Sequence, residues 1–324
     1  MEKPIISSSP HIQSNQYIVG IMRDVATALL FPLAAGVWFY GVRALILTVI
    51  SALSAVLFEF LWNKINKKEN TVGDFSACVT GMLVALVLPV TVPLWVPVAG
   101  SLFAIIIVKQ LFGGLGHNFM NPALAARGFL MASWALILTT FSNPGAAVPL
   151  FSSVISPDAI SSATPLALAK AGEGFGSLKS LVIGNVPGCI GETSVIAILI
   201  GAAYLSLRKV INPAGPLLYI LTAGFFSCLF GYGSPFDTPF LSQICSGGLM
   251  FGAFFMFTDY VTTPSTKAGT AIAAVFCGFI TALIRTKGGY PEGVTYAILL
   301  TNVISPLLDK YIIPKQYGRK EVRR

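Results

Sequence analysis

The residues able to do chemistry are few, and they fall in one polar stretch and at scattered charges within apolar sequence. The stretch is Ser156-Pro157-Asp158-Ala159-Ile160-Ser161-Ser162-Ala163-Thr164-Pro165. Ser and Asp side chains compete for backbone hydrogen bonds, and each proline drives the residue before it to an extended conformation. Thr164 is therefore expected on an irregular, accessible backbone, with its hydroxyl open to modification. Asp259 lies in an apolar run, where an ionisable group is costly and marks an ion or cofactor site; a helix cap or a salt bridge to Lys267 is the alternative. Glu59 reads as a partner of Lys64 or of headgroups. Arg127, just after Asn121-Pro122 at a helix start, offers a fork of donors that suits phosphate, a carbonyl or a lipid headgroup. His11 and His117 read as structural. The five cysteines contain no CxxC pair, so metal-ligand spacing is absent, and a disulfide between Cys189 and Cys245 stays open.

These residues need a scaffold, and composition says which kind. With 55% hydrophobic and 10% charged residues, the chain has too little polar surface for a soluble globule and reads as an all-α integral membrane protein. A spanning helix needs roughly 20 mostly apolar residues, which gives about ten candidates: Val25 to Val42, Ala44 to Leu61, Ser76 to Val92, Leu94 to Phe112, Ala123 to Phe141, Thr193 to Leu207, Gly215 to Gly231, Gly247 to Val261, Gly269 to Arg285 and Gly293 to Leu308. The first twenty residues lack the pattern of a removable signal peptide. The net charge of +8 sits at segment ends and in the tail, as cytoplasmic flanks do, so no nucleic-acid partner is expected. Most of the 21 lysines and arginines fall on the N-terminal side of the membrane, which places both termini in the cytoplasm and the Thr164 loop outside.

The chain thus divides into a cytoplasmic segment 1–24, a five-helix half 25–141, an external loop 142–192, a second five-helix half 193–308 and a basic cytoplasmic tail 309–324. An odd number of helices per half inverts the second half. Glycine breaks at Gly113-Gly114-Leu115-Gly116 and Gly247-Gly248 suggest broken helices of the kind that meet near the midplane of transporters, although paired glycines also serve close helix packing.

Asp158-x-x-Ser161-Ser162-Ala163-Thr164 resembles the flavinylation motif, in which the last Thr receives FMN through a phosphoester from a dedicated flavin transferase; Ser162 replaces the usual Gly. Four further stretches extend the resemblance to nearly the whole chain: Asp74 to Gly81, Phe112 to Ala123, Gly252 to Pro264 and Gly288 to Val294. Together with Ser9-Pro10-His11 they resemble the family formed by the D subunit of the Rnf ion-translocating ferredoxin:NAD oxidoreductase complex and the B subunit of the sodium-pumping NADH:quinone oxidoreductase. Tyr260 stands where that family has Pro. The resemblance implies an inner-membrane redox subunit carrying covalent FMN on Thr164, with Asp158, Ser161, Ser162 and Ala163 around it. It also implies a second, non-covalent flavin such as riboflavin, partner subunits of the complex, surrounding lipid, and movement of Na+ or H+. Arg127 and Asn121 join the candidate cofactor-binding set, and Asp259 is the ion-pathway candidate. The rival reading is a cofactor-free secondary transporter or channel with the same inverted repeat.

Overall fold

The computed structural model describes residues 18–146, 149 and 162–313, and among these there is no strand. Apolar sequence with few charges leaves helix as the way to satisfy backbone groups within a bilayer, and the chain follows that rule. Helices α1 (Ile18–Tyr40) and α2 (Val42–Ile65) meet at a single residue, Gly41, whose φ of +75° suits glycine. Then come α3 (Ser76–Leu86), α4 (Trp95–Leu102), a π-helical stretch Phe103–Gln110, α5 (Pro122–Ser133) and α6 (Ala135–Thr139). Two short helices, α7 (Pro165–Lys170) and α8 (Leu178–Ile183), lead to α9 (Val195–Leu207) and α10 (Ala214–Phe230). The chain continues through α11 (Phe240–Cys245), α12 (Leu249–Phe251), a second π-helical stretch Gly252–Met256, α13 (Lys267–Lys287) and α14 (Val294–Tyr311).

Each of the ten expected spans meets a helical stretch, with differences at the ends. The first helix begins at Ile18 instead of Val25, and the expected fifth span is interrupted at Trp134. By length and composition α1, α2 and α13 can each cross a membrane. Several others are short because they break inside the protein. Helix α3 ends at Leu86, yet residues 87–92 stay buried as irregular backbone. Their carbonyls need donors in the absence of water, and Arg43 supplies them, donating from Nε to the Val90 carbonyl at 2.8 Å and from Nη2 to Val92 at 2.9 Å. Arg285 does the same for α11, donating to the Gln243 and Ser246 carbonyls at 2.7 and 3.0 Å.

Both sets of helices contain a short buried helix, α3 in the first and α12 in the second, and a π-helical stretch. Helix α1 packs against α9, α2 against α3 and α4, and α10 against α13. At the last crossing a Cβ on Gly278 would stand 2.0 Å from Thr222 Oγ1, so glycine is what permits that approach.

Four of the basic residues are interior and not at the flanks where the charge pattern puts them: Lys109, Arg127, Arg43 and Arg285 are all buried. They hold the fold together, and the charge bias of the flanks survives without them. Glu59 pairs with Lys109 Nζ at 2.8 Å, not with Lys64, because both side chains face inward. Ser76 Oγ accepts from the same ammonium at 2.6 Å, and Thr71 Oγ1 donates to the other Glu59 oxygen at 2.6 Å. All five thiols are free, so Cys189 and Cys245 are not bridged.

Candidate functional site: a cleft between Thr164 and a buried charge cluster

Pro165 fixes the first turn of α7, and its restraint on the preceding residue gives Thr164 φ −69° and ψ 156°. Thr164 is half-buried, and its Oγ1 accepts from Ala167 N–H at 3.3 Å as the helix cap. The residue is held from both sides. Upstream, Ser162 N–H donates to the Phe141 carbonyl at 2.9 Å. Downstream, Leu166 and Ala169 pack with Phe175 and Leu181 in a small core, and Lys170 Nζ donates to the Gly288 carbonyl at the end of α13. Asp158 and Ser161 lie outside the described residues; Ala163 is exposed.

Thr164 stands on a cleft of about 860 Å³, open mouth included, whose wall carries Phe141, Tyr290 and Tyr296, and into which Arg127, Glu192 and Glu292 also face. The two tyrosine rings are 5.9 Å apart. Arg127 is one turn into α5, a helix fixed by Asn121, whose Oδ1 accepts from Ala123 and Leu124 N–H. Its guanidinium donates to Glu192 Oε1 at 3.0 Å and to Glu292 Oε2 at 2.6 Å, while Gly248 N–H donates to Glu292 Oε1. A Cβ at Gly248 would fall 2.5 Å from Glu192 Oε1 and 2.6 Å from Glu292 Oε1, so the two carboxylates converge on the space this glycine leaves.

One guanidinium thus serves two carboxylates. Both lie in segments between helices. Burial, then the neighbouring Glu292, push the Glu192 carboxyl above its ordinary range; burial acts on Glu292 too, but Arg127 and the Gly248 N–H outweigh it and hold Glu292 low. The cluster can therefore hold a proton on one side and a fixed negative charge on the other.

The candidate set read from the sequence is split by the fold. Arg127 and Thr164 share the cleft. Asn121 instead lines a second cleft, of about 870 Å³ with its open mouth included, together with Lys109, Asn118 and Asp259. Asp259 makes no bridge to Lys267; its carboxylate accepts from Val261 N–H at 3.4 Å and Thr262 Oγ1 at 3.3 Å, ordering the turn after the second π-helical stretch. Glu192, Glu292, Tyr290 and Lys109 escaped the sequence reading as site residues. The signal for the two glutamates was their scarcity: the chain has 13 acids in all, and these two flank helices of almost pure hydrocarbon.

A helical protein with long apolar helices, interrupted inner helices and charges paired in its interior is an integral membrane protein. Residues 5–318 match the model of the NQR2, RnfD, RnfE family, and the chain belongs to that family. It is 45% identical to the D subunit of the Na(+)-translocating ferredoxin:NAD(+) oxidoreductase complex of Acetobacterium woodii, covering 98% of this chain and 96% of the relative. It is 38% identical to the D subunit of the proton-translocating ferredoxin:NAD(+) oxidoreductase complex of Clostridium ljungdahlii, covering 97% and 96%. To the D subunit of the ion-translocating oxidoreductase complex of Escherichia coli O127:H6 it is 34% identical, covering 98% and 99%.

Proposed function

We propose that this chain is the membrane redox subunit of an ion-translocating ferredoxin:NAD oxidoreductase complex and carries FMN as a phosphoester on Thr164. The observation that carries this reading is the position of the Thr164 hydroxyl, held by a docked helix at the edge of a cleft with an aromatic wall and a charged floor. The residues fit the group. Phe141, Tyr290 and Tyr296 offer faces for a flat ring system, and Arg127 stands at the floor of the cleft with Glu192 and Glu292. Bound flavin would supply one- and two-electron carriage, with the protein holding and tuning it. The threonine is only an anchor, so it needs no catalytic base beside it. Docking of α7 keeps the attachment point fixed in place of a swinging tether.

The second, non-covalent flavin implied by the family resemblance belongs to the same proposal, and the Asn118–Asn121 cavity is the space we assign to it. The halves α1–α6 and α9–α14 are read as inverted repeats in the bacterial inner membrane, with both termini cytoplasmic and Thr164 on the opposite face. A flavin transferase is needed for maturation, and the other subunits supply electron donor and acceptor. A two-electron fall of about 100 mV releases roughly 4.6 kcal/mol, against about 2.3 kcal/mol to move one charge through 100 mV, so coupling to one or two ions is energetically open. The relatives divide between Na+ and H+, and the ion for this chain stays a choice between them.

Co-expression with the transferase should give a polypeptide that stays fluorescent after denaturation, and Thr164→Ala should abolish that band. A wild-type chain that never acquires flavin would move the transporter reading ahead. For topology, Glu173→Cys should react with an impermeant reagent on intact cells; reaction only after permeabilisation would invert the assignment.

A further inference from the structure

The cluster at the floor of the cleft has a charge imbalance that the anchoring of a cofactor does not use. Among the described residues Arg127 is its one cation in contact with carboxylate, and Glu192 and Glu292 both bind it. Their Oε1 atoms flank the same small space beside Gly248 and so lie within about 5 Å of each other. Two carboxylates this close, largely withdrawn into the protein, do not both ionise over the neutral range; they share a proton, as paired acids do. The hydrogen bonds say which one keeps it. Glu292 has both oxygens committed, Oε2 to Arg127 and Oε1 to the Gly248 amide, and each donor favours its ionised form. Glu192 takes one longer N–H bond, from Arg127 on Oε1, and beside it only the weak thiol donor of Cys189. The other titratable groups around Glu192 are the Cys189 thiol, which also contacts Arg127 Nη2 at 3.5 Å, and the Tyr40 hydroxyl at the end of α1; Arg285 on α13 acts on Glu292. None of these supplies a second cation in contact with Glu192.

We infer that Glu192 is a proton-exchange site: a carboxylic acid, paired with Glu292 across Arg127, that gives its proton to and retakes it from the cleft beneath Thr164. On release the Glu192 O–H bond breaks, the proton passes to a basic atom in the cleft or to water there, and two carboxylates are left on one guanidinium. That state carries one uncompensated negative charge, and it is restored when a proton returns. An alkali cation is a poor alternative occupant. Three of the four carboxylate oxygens already accept N–H donors, whereas a hard cation needs several free oxygens at once.

The role at the cleft rests on the flavin reading; the existence of the proton does not, and the test separates them. Infrared difference spectra of the intact complex, recorded as pH is stepped through the neutral range, should contain a protonated-carboxyl band that disappears as pH rises and shifts in D2O. Glu192→Gln should remove the band completely. Glu292→Gln should remove it too, because without the second carboxylate Glu192 stays ionised against Arg127; this variant also serves where Glu192→Gln fails to assemble. Thr164→Ala should keep the band. A band that is absent from the wild type, unchanged in both glutamine variants, or unshifted in D2O overturns the inference. A band that persists in a wild-type chain without flavin would leave the proton site standing and sink the flavin assignment alone.

Discussion

Arg127 on α5 donates to Glu292 at 2.6 Å across 165 residues of sequence, tying the first set of helices to the last. Breaking a buried ion pair from one side leaves an uncompensated charge, at a cost of about 3–5 kcal/mol. Arg127→Met strands two carboxylates and should lower the thermal midpoint of the purified complex sharply. Arg127→Lys keeps the charge but loses the fork that reaches both acids at once, and should fall between Met and wild type. Equal midpoints for Met and wild type would remove the cluster from any structural role.

Gly248→Ala tests the same cluster without changing its charge. The backbone there has φ −78°, which alanine adopts freely, so the effect is steric. The added methyl would meet Glu192 Oε1 and Glu292 Oε1 at about 2.5 Å and must push the carboxylates from Arg127. We expect a destabilisation of roughly 1–3 kcal/mol, as overpacking costs, read as a lower midpoint, with Glu292→Gln in the same background recovering little of it.

On the N-terminal side, Glu59→Gln and Lys109→Met should each be costly, since either leaves one buried charge facing Ser76 and Thr71. The double variant should be milder than the sum of the singles, by about 1–3 kcal/mol of coupling in a thermal-stability cycle. Additive effects would show that the two charges are solvated separately.

What the sequence revealed, and what it hid, follows from the range of each signal. Hydrophobic run length is local, so the helices of Ile18–Tyr40, Val42–Ile65 and Lys267–Lys287 were legible. Proline restraint is local as well, and it put Thr164 on extended backbone before a turn. The partners of buried charges are not local. Glu59 has Lys64 five residues away but binds Lys109 fifty residues on, because the face of α2 that carries it turns inward. In the same way Arg127 and Asn121 sit six positions apart yet open onto different cavities, since Asn121 turns its side chain back to cap its own helix. Composition counted Arg43 and Arg285 as flanking charges; only the broken helices explain them, as donors to carbonyls that no helix satisfies.

Thr164 carries two separable roles, and a set of substitutions divides them. As the cap of α7, its Oγ1 accepts from Ala167 N–H, and loss of such a cap costs about 1 kcal/mol. As the acceptor of a phosphoester it needs a hydroxyl. Thr164→Ala loses both, so missing flavin in that variant alone could follow from an undocked helix. Thr164→Asn keeps a good cap, since Asn is among the favoured residues at that position, but it has no hydroxyl to esterify. The Asn variant should protect α7 from limited proteolysis as well as wild type does, with Lys170 still on the Gly288 carbonyl, and should still lack the fluorescent polypeptide band. Thr164→Ser keeps cap and hydroxyl and should retain at least part of the band. If Thr164→Asn were fluorescent after denaturation, the attachment would lie on another side chain and the cleft would have to be read without it.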